Sequence, residues 1–371
     1  MRISPKKSRL LHLDFMRGIF LCVIIIDHLQ KFPGFFELFT GKGILWASAA
    51  EGFFFLSGIL LGLVRGRREV ARPMSTVTKK LWGRALLLYL WNIALTLFYT
   101  LLAMAFFDQV GIKPGYALPS SVVNLVRETL TFKYVYGWAD FLQYYAAFIF
   151  ISPLAIWLLR KKYWWLVLAI STIVWLKSGQ NFYLSWQLLF FSGAVFGYYV
   201  EDIHTWFKGL KHDVQRRLRY LAVATAGITF IVSYVFVIGL SYAKNNADAG
   251  WLRFLPVKQL MELNEKLAPD FDKTSLGIGR VVVFYLWFFA LYFIVKRFAW
   301  IYEKNKIGKA ITMLGQNSLY VYIVHSLLVF SVSLVLPKST GLIGNILIDV
   351  AVISTIVFLV RKRVFFAYIP R

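Results

Sequence analysis

Cysteine is almost absent from this sequence. Cys22 is the only one among 371 residues, and it lies in an apolar run. A single cysteine excludes a disulfide framework, and it excludes the paired Cys and His spacing of a structural zinc site. The HExxH, GxSxG and P-loop patterns are missing as well. We therefore expect no metal ion and no permanently bound cofactor.

Acidic residues are also scarce. The chain has 18 Asp and Glu against 42 Lys and Arg, which gives a formal net charge of +24. In a soluble protein such an excess would favour nucleic-acid binding. Here the basic residues stand in clusters between long apolar runs, as on the cytoplasmic side of membrane proteins. The charge pattern therefore predicts no nucleic-acid partner.

No stretch of the chain is long and polar enough to form a soluble domain. Hydrophobic residues make up 59% of the chain, and its mean hydropathy is +0.62. Because roughly 20 apolar residues cross a bilayer as a helix, the sequence predicts an all-α, polytopic integral membrane helix bundle with lipid around it. One transmembrane domain over residues 1–371 is expected. Its ten expected spans cover residues 11–31, 45–64, 82–107, 139–159, 163–177, 186–200, 218–241, 277–297, 311–336 and 341–360.

The connections between these spans alternate in charge. Basic clusters lie in the N-terminal arm, in the connection 65–84, after the fourth, sixth and eighth spans, and in the C-terminal tail. By the positive-inside rule, both termini are expected in the cytoplasm and the protein in the cytoplasmic (inner) membrane. The long connections 108–138 and 242–276 then lie outside, where they are either functional loops or simple caps of the bundle.

The first span carries charged residues along its length. Arg17 and His28 are eleven residues apart, three helical turns plus about 20°, so both project from one face. They are separated by roughly 16 Å along the axis. Asp27 points about 100° away from His28. Arg17 is expected near the cytoplasmic end of the span, and His28 in its outer third.

Further polar residues are expected at the depth of His28. Neighbouring spans are antiparallel, so Glu51 at the start of the second span enters from the same side as His28 and is expected to pair with it. His325 in the ninth span reaches the same level. Other spans that open from this side contribute Asp140, Gln187 and Arg280.

Several charges at one depth indicate a shared polar cavity, because each charged group in hydrocarbon costs roughly 2.5–3.5 kcal/mol. Ion pairs and snorkelling side chains are the alternative, and they explain Asp140 and Arg280 equally well. For His28, Glu51 and His325 a functional cavity is the better explanation. His can take a proton from a hydroxyl near neutral pH, while Glu or Asp holds its tautomer.

The basic connection 65–84 suits phosphate groups, which arginine binds in a bidentate manner. For Arg65 and Arg84, topology and lipid headgroups explain the charge as well as a ligand does. Arg17 differs, because it lies inside the span and on the face of His28.

The motifs resemble the acyltransferase-three superfamily of membrane acyltransferases, whose first span has an Arg-x10-His pattern like LDFMRG…IIIDHL here. The nearer resemblance is to its OpgC-type branch, the succinyltransferases of osmoregulated periplasmic glucans. The segments that carry it are ASAAEGFFFLSGILLGLVRGR at 47–67, WADFLQYYAAFIFISPLAIWLL at 138–159, SWQLLFFSGAVFGYY at 185–199, LGIGRVVVFYLWFFALYF at 276–293 and LGQNSLYVYIVHSLLVF at 314–330.

The resemblance implies ten helices, a cytoplasmic acyl-CoA co-substrate, and acyl transfer to a hydroxyl of an extracytoplasmic glycan. His28 would be the base and Arg17 would lie near the donor. The charge of the connection 65–84 adds Arg65 and Arg84 as candidate donor contacts. Glu51, Asp27 and His325 are the other catalytic candidates. The acceptor or oxyanion candidates are Asp140, Gln187 and Arg280.

Two other functions fit the same buried charges. A proton-coupled transporter or flippase of an envelope precursor would use them as a relay or an anion site, although paired Gly or Pro interruptions in the two halves are missing. A non-catalytic scaffold would leave the common depth of His28, Glu51 and His325 without an explanation.

Overall fold

A computed structural model describes residues 10–106, 121–245, 256–337 and 339–370, with only the backbone of residue 138. The N-terminal arm at 1–9 and parts of the two long connections (108–120 and 246–255) lie outside these residues. In the described part every regular element is helical. The longer helices are α1 (Leu11–Leu29), α2 (Ala49–Leu61), α3 (Met74–Ala105), α4 (Asp140–Arg160), α5 (Trp164–Leu176), α6 (Phe182–Gly209), α7 (His212–Tyr234), α8 (Ile278–Arg297), α9 (Lys306–Gln316), α10 (Ser318–Val335) and α11 (Gly341–Lys362).

Seven helices of the described chain are long and apolar enough to cross a membrane. They are α2 with its extension to Arg68, α3, α4, α7 with its extension to Asn245, α8, α10 and α11. Of the other helices at expected spans, α1 contains three charged residues, Asp14, Arg17 and Asp27, and α5 has only 13 residues. The chain is therefore a multi-pass, all-helical membrane protein.

The helices run between two ends of the bundle. At one end, Arg160 at the close of α4 donates to the carbonyl of Arg65 beyond α2 (2.9 Å), and Arg17 bonds to Ser318 at the start of α10 (3.3 Å). We call this the Arg17 end. The opposite end, where α1 closes and α2, α4 and α8 begin, is the His28 end. Tyr320 donates to the carbonyl of Val364 (2.7 Å), so α11 finishes at the Arg17 end, where α1 starts.

Glycines bring α2 and α6 into backbone contact. A Cβ on Gly58 or Gly62 would overlap the carbonyl oxygens of Phe190 and Ala194, and a Cβ on Gly197 would overlap that of Ile59. Such small-residue positions let two membrane helices approach closely. The contact fixes the helix that carries Glu51 against the helix that carries Gln187.

The expected span at 311–336 consists of two helices. α9 ends at Gln316 and α10 begins at Ser318, with Asn317 between them at φ −118° and ψ 37°. α9 packs closely across α1, because a Cβ on Gly315 or Gly18 would overlap backbone of the other helix. This crossing at the Arg17 end lets α10 run beside α1 and carry His325 toward His28.

The described parts of the long connections also contain helix. Val122–Leu130 lies in the first, and Val257–Leu267 followed by the 3₁₀ turn Ala268–Phe271 lies in the second. The second connection then returns to the bundle just before α8. Its final residues cover the His28 end.

Candidate active site

Two histidines meet inside the bundle. His28 Nδ1 on α1 lies 3.1 Å from His325 Nε2 on α10, with the ring centroids 5.3 Å apart. His325 is completely buried and His28 is half-buried. The structure therefore brings together two of the residues that the sequence places at one depth.

The surroundings of His325 favour one tautomer of this pair. Its Nδ1 is buried without a well-formed hydrogen bond, beside the carbonyls of Val321 and Tyr322 one turn earlier. A carbonyl oxygen attracts an N–H and repels a lone pair, so the proton of neutral His325 belongs on Nδ1. His325 Nε2 then accepts from His28 Nδ1–H. The lone pair of His28 is left on Nε2, available to a hydroxyl.

Glu51 pairs with Arg280 and not with His28. Arg280 Nε donates to Glu51 Oε1 at 2.5 Å, and Ser48 donates to Oε2 from its backbone N–H (3.0 Å) and its hydroxyl (2.5 Å). Both carboxylate oxygens are thus occupied, within a capping box that starts α2. The expected His28–Glu51 pair is corrected, because Arg280 supplies the counter-charge that a neutral imidazole lacks.

Arg280 also holds the backbone around the His28 end. Its Nη1 donates to the carbonyls of Leu45 (3.3 Å) and Phe271 (3.2 Å). Only Nη2 is buried without a partner, in a side chain that is 3% exposed. Arg280 therefore ties two connections to α2, and its hydrogen bonds leave little of the guanidinium for the expected oxyanion role.

Gln187 lies in a helix contact. Its amide donates to the carbonyls of Ser171 (2.8 Å) and Leu184 (3.1 Å), and its oxygen accepts from the hydroxyl of Ser171 (2.7 Å). The two bonds with Ser171 join α5 to α6, and the bond to Leu184 stays within α6. The expected acceptor or oxyanion role of Gln187 is corrected to this structural one.

The two aspartates have different surroundings. Asp27 lies against Thr40 and Gly43 in the turn after α1, so its carboxylate is directed away from the histidine pair, as the 100° offset predicts. Asp140 opens α4 close to Tyr183 and Tyr322. Tyr322 also packs against the ring of His325, with centroids 4.9 Å apart. Asp140 is therefore a neighbour of the pair, and Asp27 is not.

Sequence reasoning missed Lys273. The segment before α8 is held by three side chains: Trp186 donates to the carbonyl of Lys273 (2.8 Å), Ser185 to that of Thr274 (2.6 Å) and Trp175 to that of Leu276 (2.8 Å). The exposed Lys273 side chain acts electrostatically on groups from three helices, namely Asp27, His28, Glu51 and Asp140. Nothing in the sequence distinguishes it from the other lysines of that connection.

A cavity of about 220 Å³ opens at the Arg17 end. Arg17 and Arg68 lie in its wall, together with Asp14 and Gln316, and the apolar part of the lining comes from Leu10, Leu60, Leu63 and Val64. The structure places Arg17 in this cavity and adds Arg68, which was not singled out from the sequence. Arg65 and Arg84 are not part of its lining.

Arg65 belongs instead to a network beside the cavity. Glu69 pairs with Arg65 (2.9 Å), Arg72 (3.1 Å) and Lys80 (3.8 Å). Arg160 donates to the carbonyls of Arg65, Glu69 and Arg72 at 2.6–2.9 Å. This network fixes the backbone that carries Arg68.

Comparison with known protein families identifies the family of the chain. A family model described as OpgC protein matches residues 9–364, nearly the whole chain. No curated protein and no solved structure matches it. Within the described residues, no group of three or more His, Cys, Asp or Glu side chains is placed to hold a metal ion. The chain belongs to the OpgC protein family, and this membership indicates a transferase of acyltransferase-like function.

Proposed function

We propose that the protein is a membrane O-acyltransferase. It moves an acyl group, succinyl or acetyl, from cytoplasmic acyl-CoA to a hydroxyl of an extracytoplasmic glycan. The observation that carries the proposal is the hydrogen-bonded His28–His325 pair inside the bundle, with Arg17 on the same helix as His28. Acyl-CoA is a co-substrate, and no permanently bound cofactor enters the reaction.

In this proposal, the Arg17 end faces the cytoplasm of the inner membrane. All ten expected spans cross the bilayer as one domain, including α1, α5 and α6. The support is the charge of the Arg17 end, where the clusters at Arg65–Arg72 and Arg160–Lys162 lie. The His28 end then faces the glycan.

The donor enters from the Arg17 end. Arg17 and Arg68 in the cavity wall bind the phosphates of coenzyme A, and Arg65 and Arg84 contribute at longer range. The eleven residues between Arg17 and His28 span roughly 16 Å, a path for an extended pantetheine arm. The thioester then lies at His28, where the glycan hydroxyl arrives from the other side.

The transfer itself needs one base. The hydroxyl oxygen attacks the thioester carbonyl carbon while its proton passes to His28 Nε2. His325 keeps Nε2 available by accepting from His28 Nδ1–H. The tetrahedral intermediate collapses as the carbon–sulfur bond breaks, and the imidazolium returns its proton to the leaving thiolate. Lys273, which acts electrostatically on His28, stabilises the oxyanion, and Asp140 binds the acceptor.

Reconstitution tests this function. The protein in liposomes receives acyl-CoA with a labelled acyl group and a glycan acceptor, and transferred label is measured. His28→Ala is expected to lose transfer by about 10²–10⁴-fold. His212→Ala, which removes an exposed histidine at the start of α7, is the matched control and is expected to keep the wild-type rate.

Two results would overturn the proposal. Transfer by His28→Ala at the wild-type rate would remove His28 as base. Proton-coupled uptake of an envelope precursor into vesicles without acyl-CoA, together with no acyl transfer, would establish the transporter or flippase function instead.

A further inference from the structure

A second group of cationic side chains lies at the Arg17 end, apart from the Arg17 cavity. Its members come from α1, α6, α7 and α8. We call it the Lys296 cluster, and it consists of His12, His204, Lys208, Arg219 and Lys296.

Lys296 lies at the centre of the cluster. Its Nζ is 3.4 Å from His204 Nδ1 and donates to the hydroxyl of Tyr292 at 3.2 Å. The ammonium also lies 5.1 Å from the centroid of the Tyr292 ring. His12 packs edge-on against the same ring, with centroids 5.5 Å apart. Tyr292 thus holds both Lys296 and His12 in place.

The two outer members extend the positive charge. Arg219 lies over the ring of Phe207, 5.4 Å from its centroid, and both Arg219 and Lys208 act electrostatically on Lys296. Three fixed cations and two imidazoles therefore face one another across four helices.

Nearby acids pair with other residues. Glu201 and Asp202, less than one turn before His204, pair with Arg68 (3.8 Å) and Arg67 (3.1 Å). Among the described residues, no ion pair joins a carboxylate to a member of the Lys296 cluster. The sequence of the arm at 1–9 contains no Asp or Glu either.

Like charges that converge in this way repel one another, and the repulsion grows where burial lowers the effective dielectric constant. A dianionic or monoanionic phosphate offers three or more acceptor oxygens to ammonium, guanidinium and imidazole donors at once. We propose that the Lys296 cluster is a phosphate-binding site, with Lys296, His204 and His12 as its inner contacts.

This site is separate from the acyl-transfer path, and it does not depend on the proposed function. Two sources of phosphate have the required chemistry: the headgroup of an anionic phospholipid, because the cluster lies at helix ends, and a soluble phosphate ligand. The test has one arm for each source.

In the first arm, nanodiscs of phosphatidylcholine are compared with nanodiscs that also contain phosphatidylglycerol. In the second, inorganic phosphate is titrated into phosphatidylcholine nanodiscs. The thermal unfolding midpoint is measured in both. An anion that binds the folded site raises the wild-type midpoint by about 3 °C or more in at least one arm.

Lys296→Gln distinguishes a binding site from general surface charge. It removes the central cation and keeps a hydrogen-bonding group beside Tyr292. Without anion it is expected to unfold at or above the wild-type midpoint, because one repulsive charge is gone. With anion, the rise of its unfolding midpoint is expected to be less than half of the rise in the wild type. Lys309→Gln, an exposed lysine on α9, should keep the full increment.

His204→Gln is a second variant, so the test does not depend on whether Lys296→Gln folds. In the arm that stabilises the wild type, His204→Gln should reduce the rise of the unfolding midpoint at least threefold. Stabilisation in the lipid arm alone assigns the site to a headgroup, and stabilisation in the soluble arm alone assigns it to a free phosphate. The proposal is overturned if neither arm stabilises the wild type. It is also overturned if Lys296→Gln and Lys309→Gln reduce the anion-dependent rise of the unfolding midpoint equally.

Discussion

The two ends of α1 neutralise charge in different ways. At the His28 end, the carboxylate of Glu51 and the guanidinium of Arg280 are buried together, and both oxygens of Glu51 are bonded. At the Arg17 end, Glu69 faces three cations, and the Lys296 cluster pairs with no carboxylate among the described residues. Buried and matched charges fix a geometry, whereas unmatched charges attract an incoming anion. The charges at the His28 end of α1 thus hold neighbouring residues in place, and those at the Arg17 end attract anions.

The largest effect is expected when the ion pair between Glu51 and Arg280 is broken. Glu51→Gln leaves the charge of Arg280 buried without a counter-ion, which costs about 3–5 kcal/mol of unfolding free energy. The double variant Glu51→Gln/Arg280→Met should recover much of that loss. Denaturant unfolding in detergent measures both, with the exposed Glu303→Gln as the control. A double variant as unstable as the single one would show that the two charges are not coupled.

The next effect concerns the histidine pair. His325→Phe removes the acceptor of His28 Nδ1–H, and kcat is expected to fall about 10²–10³-fold. His325→Gln keeps an acceptor oxygen and should recover part of the rate. If His325 holds the tautomer of His28, its substitution also shifts the pH dependence of kcat. A packing role alone would leave that pH dependence unchanged. An equal loss in both variants with an unchanged pH profile would reduce His325 to a packing residue.

Lys273 sharpens the comparison, because it is an exposed cation at the end where Glu51 and Arg280 are buried. Lys273→Met is expected to lower kcat about tenfold, less than the 10²–10³-fold loss typical of a buried oxyanion donor. Lys273→Arg should stay close to the wild-type rate. Steady-state kinetics check this, with Lys266→Met on the neighbouring helix as the control. If Lys273→Met and Lys266→Met have the same kcat, Lys273 does not stabilise the oxyanion.

The smallest effect is expected at the donor end. Arg17→Gln should raise KM for acyl-CoA about tenfold, equivalent to about 1.4 kcal/mol, and leave kcat nearly unchanged. The KM of the wild type should also rise with salt, because the contact is electrostatic. Arg217→Gln, an exposed arginine on α7 that lies outside the cavity lining, is the control. A fall in kcat at unchanged KM would place Arg17 in the chemistry instead of the binding.

Depth along a helix could be predicted from the sequence, but rotation about the axis and pairing between helices could not. The eleven-residue spacing correctly places Arg17 and His28 at opposite ends of one helix, and antiparallel spans bring His325 to the level of His28. The helical period gives no information on which side of α2 faces α1, so the sequence predicts a Glu51–His28 pair where the structure has a Glu51–Arg280 pair. One local signal was available, because Ser48-Ala-Ala-Glu51 is a capping box that occupies the carboxylate.

Other features depend on contacts made far along the chain. Asn317 separates α9 from α10, and α9 crosses α1 at Gly18. Hydropathy alone does not detect such a crossing. Lys273 is placed by carbonyls that bond to Trp186, Ser185 and Trp175. Those bonds form only after α5, α6 and α8 have assembled.

The ion pair between Glu51 and Arg280 also has a consequence for biogenesis. The two residues are 229 positions apart, so at ~5–20 residues per second the ribosome needs roughly 10 to 50 s to add the second after the first. During this interval the carboxyl group of Glu51 on α2 lacks the counter-ion that Arg280 supplies later. In truncated chains that stop before α8, a cysteine introduced at Ala50 beside Glu51 should therefore react faster with a water-soluble thiol reagent than in chains that include Arg280, and equal rates would contradict this. The buried charge of the second helix is thus balanced only once the eighth has been made.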